Sequence, residues 1–167
     1  MTDGRIVPWL VLRTRSRHEG SVESCLQQKQ ITSYLPKRRE LRRWKGKKKV
    51  VEMPLFPGYV FVRPRLEQYE TMRYIRGSCG LVLSGSQPAT MAESELEAVK
   101  ILVDSGAALA VNAELIPGQR VRVVSGPLAG AQGELVRVKS EDRLVINAQV
   151  LNSSVSVEVG TDMVVVI

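Results

Sequence analysis

Residues 7–12 form a short apolar run rich in β-formers, after which Arg13, Arg15 and Arg17 alternate with polar residues and would share one face of a continuing strand. The period then changes. Val22, Cys25, Leu26 and Lys29 fall at helical spacing, with the Lys29 stem laid along the apolar stripe and its amine in water. Residues 31–41 read as extended, Trp44-Lys45-Gly46 as a turn and residues 47–52 as the returning strand of a hairpin. Residues 59–62 give the strongest strand signal in this half, followed by a short helix over 66–75 and a strand over 81–83. Residues 90–104 predict a helix that starts with a Thr90/Glu93 capping box and turns Leu96, Val99 and Val103 inward.

The pattern changes again beyond this helix. Residues 106–116 carry Gly106, several alanines and no firm period, and are expected to be a linker. After Pro117-Gly118, short β-branched runs at 119–124, 133–138, 143–150, 154–159 and 163–167 are separated by turn residues such as Ser125-Gly126-Pro127 and Gly160-Thr161. This spacing predicts a small all-β barrel, in which closure removes sheet edges. The expected organisation is an α+β domain with an antiparallel sheet flanked by helices over 5–105, a linker over 106–116, and an SH3-like barrel over 117–167.

Composition narrows the function. The chain has 167 residues, 44% hydrophobic residues and a net charge of +7, enough for a core but not for a large enzyme. No apolar run approaches the ~20 residues needed to span a bilayer, and no secretory h-region is present. Cys25 and Cys79 lie in no metal-ligand or disulfide spacing. A cytoplasmic, monomeric protein without cofactor or metal is expected. Before Ala113 lie 19 of the 24 Lys and Arg and 11 of the 17 Asp and Glu, so the first part carries +8 and the remainder −1. The densest stretch, residues 37–49, sets Lys37, Arg38, Arg39, Arg42, Arg43, Lys45, Lys47, Lys48 and Lys49 against Glu40 alone. Such a run either keeps a hairpin soluble or faces a polyanion.

Catalysis finds no support. There is no phosphate-binding Gly-rich loop, and the only histidine, His18, sits among Arg15, Arg17 and Glu19 at a helix start. Glu93, Glu95 and Glu97 resemble a carboxylate cluster, but on a helix they fan around the axis and complement its N-terminal dipole.

Two blocks carry recognisable chemistry. In Pro54-Leu55-Phe56-Pro57-Gly58-Tyr59-Val60-Phe61-Val62 a proline-glycine turn leads straight into a strand, with Tyr59 and Phe61 on one face and Val60 and Val62 on the other. The bland reading is core on both faces; aromatics side by side also suit a protein-binding platform. The second block runs from Pro117 to Leu135 as strand, Gly-rich turn and strand, with Gly126, Gly130 and Gly133 in the turn region. Gly133 is expected at a conformation or close approach that a side chain would forbid.

In this order, with Trp9 in the first strand and Arg76-Gly77 leading into another, the blocks resemble the NusG family of transcription elongation factors over essentially the whole chain, as an N-terminal domain followed by a KOW domain. The resemblance implies recruitment rather than catalysis, with docking on the β′ clamp helices of RNA polymerase and an approach to the β gate loop. Carried onto this chain, it places Phe56, Tyr59 and Phe61 at the polymerase-facing surface, with Trp9 either there or in the core beneath, and Gln68, Tyr69 and Glu70 near the gate loop. It places Arg15, Arg17, His18 and Arg76 near non-template DNA, to which the basic hairpin lysines Lys45, Lys47, Lys48 and Lys49 are added as nucleic-acid contacts. The KOW partner positions, which in the family meet Rho or a ribosomal protein, fall on Leu128, Ala131, Leu151 and Ser153. Without aromatic or arginine anchors there, weak Rho engagement is expected. The basic hairpin resembles RfaH-type and polysaccharide-operon paralogues. The alternatives are a housekeeping NusG coupled to Rho and the ribosome, and a KOW-containing RNA-binding or ribosome-associated protein. Refolding of the barrel into helices is disfavoured by the alternation of Val155, Val157 and Val159.

Overall fold

A computed structural model describes residues 8–167; Val7 and the expected domain start at residue 5 lie outside the described residues. The chain order is β1 (Trp9–Thr14), α1 (Glu19–Gln28), β2 (Thr32–Tyr34), β3 (Lys37–Trp44), β4 (Lys47–Pro54), β5 (Tyr59–Arg63), α2 (Tyr69–Arg73), β6 (Ser78–Leu81), β7 (Leu83–Ser84), β8 (Gln87–Pro88), β9 (Thr90–Met91), α3 (Glu93–Asp104), β10 (Leu109–Asn112), β11 (Gln119–Val123), β12 (Gln132–Val138), β13 (Glu141–Ala148), β14 (Ser153–Glu158) and β15 (Val164–Val166). Cα packing divides the chain into two compact units at Thr90/Met91.

The first unit is built on an antiparallel sheet in the order β2–β5–β1–β6. Register sets Leu12 opposite Val60 and Val11 opposite Phe61. Because side chains alternate along a strand, Leu10, Leu12, Val60 and Val62 share one face, and they form one buried cluster with Val22 and Leu26 of α1 and Met72 of α2. Cys25 packs at the edge of that cluster, whereas Lys29 lies just past the helix and is exposed. The expected continuation of β1 through Arg17 does not occur. The strand stops at Thr14, and Arg17 adopts φ 65°, a left-handed turn conformation that breaks the alternation. Strands β3 and β4 make a separate two-stranded ribbon, and the extended run expected from residue 31 is interrupted at Leu35-Pro36, where the Leu55 N–H donates to the Pro36 carbonyl and closes the ribbon's base. The expected helix over 66–75 is a 3₁₀ turn, Leu66–Gln68, followed by α2.

The second unit is a six-stranded antiparallel sheet in the order β10–β14–β13–β12–β11–β15, with α3 packed on β12 and β13. The pairing has two ends, β10 and β15, where the sequence predicted a closed barrel. Two local expectations differ from the structure. The stretch expected as a linker supplies β10, which pairs with β14 from Leu109↔Val157 to Asn112↔Ser154. The Thr90/Glu93 capping box does not form, because Thr90 belongs to a short strand and the N-cap of α3 is Ala92, without a side-chain cap. The buried residues of α3 are Leu96, Ala98, Val99 and Leu102; Val103, expected inward, is half-buried. No helix among the described residues is long and apolar enough to cross a membrane.

Candidate nucleic-acid and protein interfaces

The proline-glycine turn before β5 is fixed by backbone geometry and by one distant side chain. Tyr59 N–H donates to the Phe56 carbonyl at 3.3 Å, with Pro57 second and Gly58 third in the turn at φ 88°. That is the residue order of a type II turn, whose third position requires positive φ. The Gly58 carbonyl accepts from Thr14 N–H at 2.8 Å, and Gly58 N–H donates to Glu19 Oε1 at 2.9 Å. Glu19, the first residue of α1, is 6% exposed. Sequence reasoning missed it as a positioning residue, since a carboxylate in a helix's first turn carries no local sign of a partner 39 residues away.

This turn delivers the aromatic residues of the β5 block. Trp9, Val11 and Arg13 share the second face of β1, opposite Phe61 and Tyr59 of β5. The Phe56 and Phe61 rings meet edge to face, with centroids 6.1 Å apart and planes at 89°, a favoured aromatic geometry. The Arg63 guanidinium lies 4.5 Å from the centroid of Trp9. Trp9, Phe56 and Phe61 are 5%, 4% and 0% exposed. The expected placement of Phe56 and Phe61 at an accessible surface is therefore corrected, since both are buried; Trp9 takes the buried one of its two expected places, and Tyr59 alone of the four keeps part of its surface. Tyr59 borders a 260 Å³ pocket lined also by Arg13, Ser16 and Glu19.

The expected DNA-facing residues converge at one edge of this unit. Arg15 N–H donates to the Gly77 carbonyl at 2.8 Å. A side chain at Gly77, where φ is 92°, would collide with the His18 Cβ at 2.8 Å, so the turn after β1 and the loop carrying Arg76 fit together only through a glycine. His18 Nδ1 lies 2.9 Å from the Ser16 carbonyl, and Arg15, Arg17 and Arg76 are exposed. Arg13, opposite Tyr59 in the sheet, adds an exposed cation that the candidate set had omitted.

The three residues expected near a gate loop fare differently. Gln68 is 8% exposed, and its Oε1 accepts from Arg65 N–H at 2.9 Å in a local cap. Its side chain is thus buried and engaged by the local backbone rather than exposed as expected. Tyr69 packs against the buried cluster and Glu70 is exposed. Lys45, Lys47, Lys48 and Lys49 all lie exposed at the free end of the β3–β4 ribbon.

In the second unit, Gly133 behaves as expected: a Cβ there would lie 2.5 Å from the Val145 carbonyl oxygen across the β12–β13 pair. Gly126 and Gly130 adopt φ 81° and 95°, conformations open to glycine. Leu128, Ala131 and Leu151 are buried, at 7%, 0% and 9% exposure. These three supply core rather than free surface, although Leu128 lines a cavity of about 630 Å³ with Arg143 and Met163; Ser153 is half-buried. Burial raises the Glu95 carboxyl on α3 above its usual value of 4.5, and the positive charge of Arg120 opposes that rise.

Comparison with known proteins adds a family. The model of a family described as transcription termination factor nusG matches residues 8–100, more than half of the chain. The transcription termination/antitermination protein NusG of Thermus thermophilus is 33% identical over 106 residues, and the alignment covers 58% of each chain; the chain thus spans just over half the length of that relative. The Staphylococcus aureus protein of the same name is 28% identical over 173 residues and 93% of each chain. A solved structure of Thermotoga maritima NusG shares the fold, with a TM-score of 0.55, 21% identity and coverage of 96% of this chain and 97% of the other.

Proposed function

Because the chain belongs to the NusG family of transcription termination and antitermination factors, we propose that it binds RNA polymerase and raises its processivity as an operon-specific member of that family. The observation that carries this reading is the convergence of Arg15, Arg17, His18 and Arg76 beside the Arg13–Tyr59 pair. Cations and an aromatic at one edge suit a factor placed against both protein and an exposed DNA strand. Phosphate contacts there supply affinity, and base contacts would supply sequence preference. In this reading Tyr59 meets the β′ clamp helices, over a floor shaped by Trp9, Phe56 and Phe61, while Glu70 and Tyr69 approach the β gate loop.

Within the second unit, the strands of residues 117–167 take the part of the KOW domain, with a protein partner. The positions matched to those where the family meets Rho or a ribosomal protein hold Leu128, Ala131, Leu151 and Ser153, none of them an aromatic or arginine anchor, and the first three are buried. This supports weak Rho engagement and hence read-through.

The test is capture of core RNA polymerase by the full chain. Wild type retains polymerase, Tyr59→Ser reduces capture at least fivefold with an unchanged circular dichroism spectrum, and Rho-dependent termination is not stimulated. Failure of the wild-type chain to retain polymerase at low salt refutes the polymerase reading. Normal Rho stimulation refutes the specialised one.

A further inference from the structure

The ribbon β3–β4 is the most highly charged part of the molecule, and its free end holds something the charge pattern alone does not explain. Register pairs Trp44 with Lys47 and Arg42 with Lys49. Opposed residues in an antiparallel pair share a face, as do residues two apart on one strand. Trp44, Arg42, Lys47 and Lys49 therefore lie on one face, and Trp44 is 72% exposed. The other face repeats the charge with Arg43 opposite Lys48, and beyond it sets exposed Leu41 opposite Val50.

Two further features show that the end is not arranged for its own stability. Arg42↔Lys49 and Arg43↔Lys48 are like charges placed directly opposite each other, an unfavourable pairing. Two ion pairs, Lys37–Glu23 and Arg39–Glu52, sit toward the ribbon's base, and at the free end Arg42 alone of the cations has a carboxylate, Glu40 at 3.5 Å. Among the described residues none reaches Arg43, Lys45, Lys47, Lys48 or Lys49. The turn itself places Lys45 at φ 49° before Gly46 at φ 77°, a position that favours Gly, Asn or Asp. A turn that retains lysine there, between like-charged pairs, calls for a polyanion to relieve the repulsion.

We propose that the free end of this ribbon binds an unpaired nucleic-acid strand, with the Trp44 indole stacked on one base and Lys47 and Lys49 beside it on the flanking phosphates. This deepens the nucleic-acid reading of the hairpin lysines and does not depend on polymerase. Cations two residues apart along a strand are spaced about 6.8 Å, which lets successive phosphates be met on either side of a stacked base. An exposed ring needs a free base face, which a duplex hides within its stack; that favours an unpaired strand over a double helix. Cations on both faces of the ribbon argue against a membrane, which would contact a single face. Base stacking on an aromatic is sequence-tolerant, so the ribbon supplies affinity and register.

The test uses the full chain without polymerase and fluorescein-labelled 12-mers: oligo(U) RNA, oligo(dT) DNA and a mixed-sequence DNA duplex, followed by fluorescence anisotropy. Wild type binds at least one single strand and quenches Trp44 emission. Trp44→Ala weakens that binding by about 5- to 150-fold, the range for loss of one stacked base, while Trp44→Phe keeps most of it. Lys47→Gln with Lys49→Gln lowers affinity and flattens the salt dependence by about 0.7 in log–log slope per lost phosphate contact. Preference for the RNA or the DNA strand assigns the source, and either supports the proposal. It is overturned by equal or tighter duplex binding, by single-strand binding indifferent to Trp44→Ala, by no binding at all, or by a blue-shifted Trp44 on phosphatidylglycerol vesicles in place of oligonucleotide binding. Trp44 is outside the core, so unchanged circular dichroism separates lost binding from lost fold.

Discussion

Replacing Glu19 tests whether one distant carboxylate holds the turn that sets β5. Its Oε1 accepts from Gly58 N–H at 2.9 Å, and the side chain is almost wholly buried. Glu19→Ala removes the charged partner of that half-buried amide, and a hydrogen bond to a charged group contributes about 1.5–3 kcal/mol. Glu19→Gln keeps an acceptor at the same reach and loses only the charge assistance, roughly half the strength of the bond. The expected losses are therefore about 2 kcal/mol for alanine and about 1 kcal/mol for glutamine. In a unit of 60–100 residues each kcal/mol lowers Tm by about 4–8 °C, so the alanine variant melts roughly 8–16 °C lower. Both tryptophans, Trp9 and Trp44, belong to the first unit. In a Trp44→Phe background, fluorescence of buried Trp9 therefore reports that unit alone. The reasoning is refuted if Glu19→Ala melts within 2 °C of its parent, or if glutamine is as damaging as alanine.

Gly133→Ala forces a Cβ to within 2.5 Å of the Val145 carbonyl and 2.7 Å of Ile146 Cδ1. It should cost the second unit about 1–3 kcal/mol in urea unfolding, whereas Gly20→Ala, exposed in α1 with nothing within 4 Å, should be neutral or stabilise by up to about 1 kcal/mol. Lys45→Asn relieves a lysine at φ 49° and should slow hydrogen exchange across β3–β4. The part due to backbone conformation must persist at 1 M salt, while the part due to like-charge repulsion fades. Glu95 has its folded carboxyl raised above 4.5 by burial, so the folded state holds the proton more tightly than the unfolded one. Stability from this group rises as pH falls through the raised value and levels off below 4.5. Glu95→Gln should flatten that rise and stabilise the second unit at neutral pH, and an unchanged pH profile of Tm would contradict the assignment.

The hairpin shows how much is local. Its turn, its returning strand and its charge were legible because register in a two-residue hairpin follows from the turn itself. The five strands beyond Pro117 were equally legible, since β-branched runs between turn residues set their own length. Gly133 was readable as a forbidden side chain, although its cause, the Val145 carbonyl, lies on another strand. The resemblance to a family was carried by the β5 block and the glycine turn, and the family match bears it out.

What the chain alone determined, then, is which segments are extended or helical, which faces are apolar and where the charge lies, because these depend on spacing and composition over a few residues. Tertiary structure decided what covers or meets each face. It placed Phe56 and Phe61 in the core, made a strand of the expected linker, set α3 on β12 and β13, and joined Glu19 to Gly58. Each of these depends on contacts between segments distant in sequence. Periodicity marks a face as apolar without naming its neighbour, and a buried hydrogen bond leaves no trace in the spacing of the residues that make it.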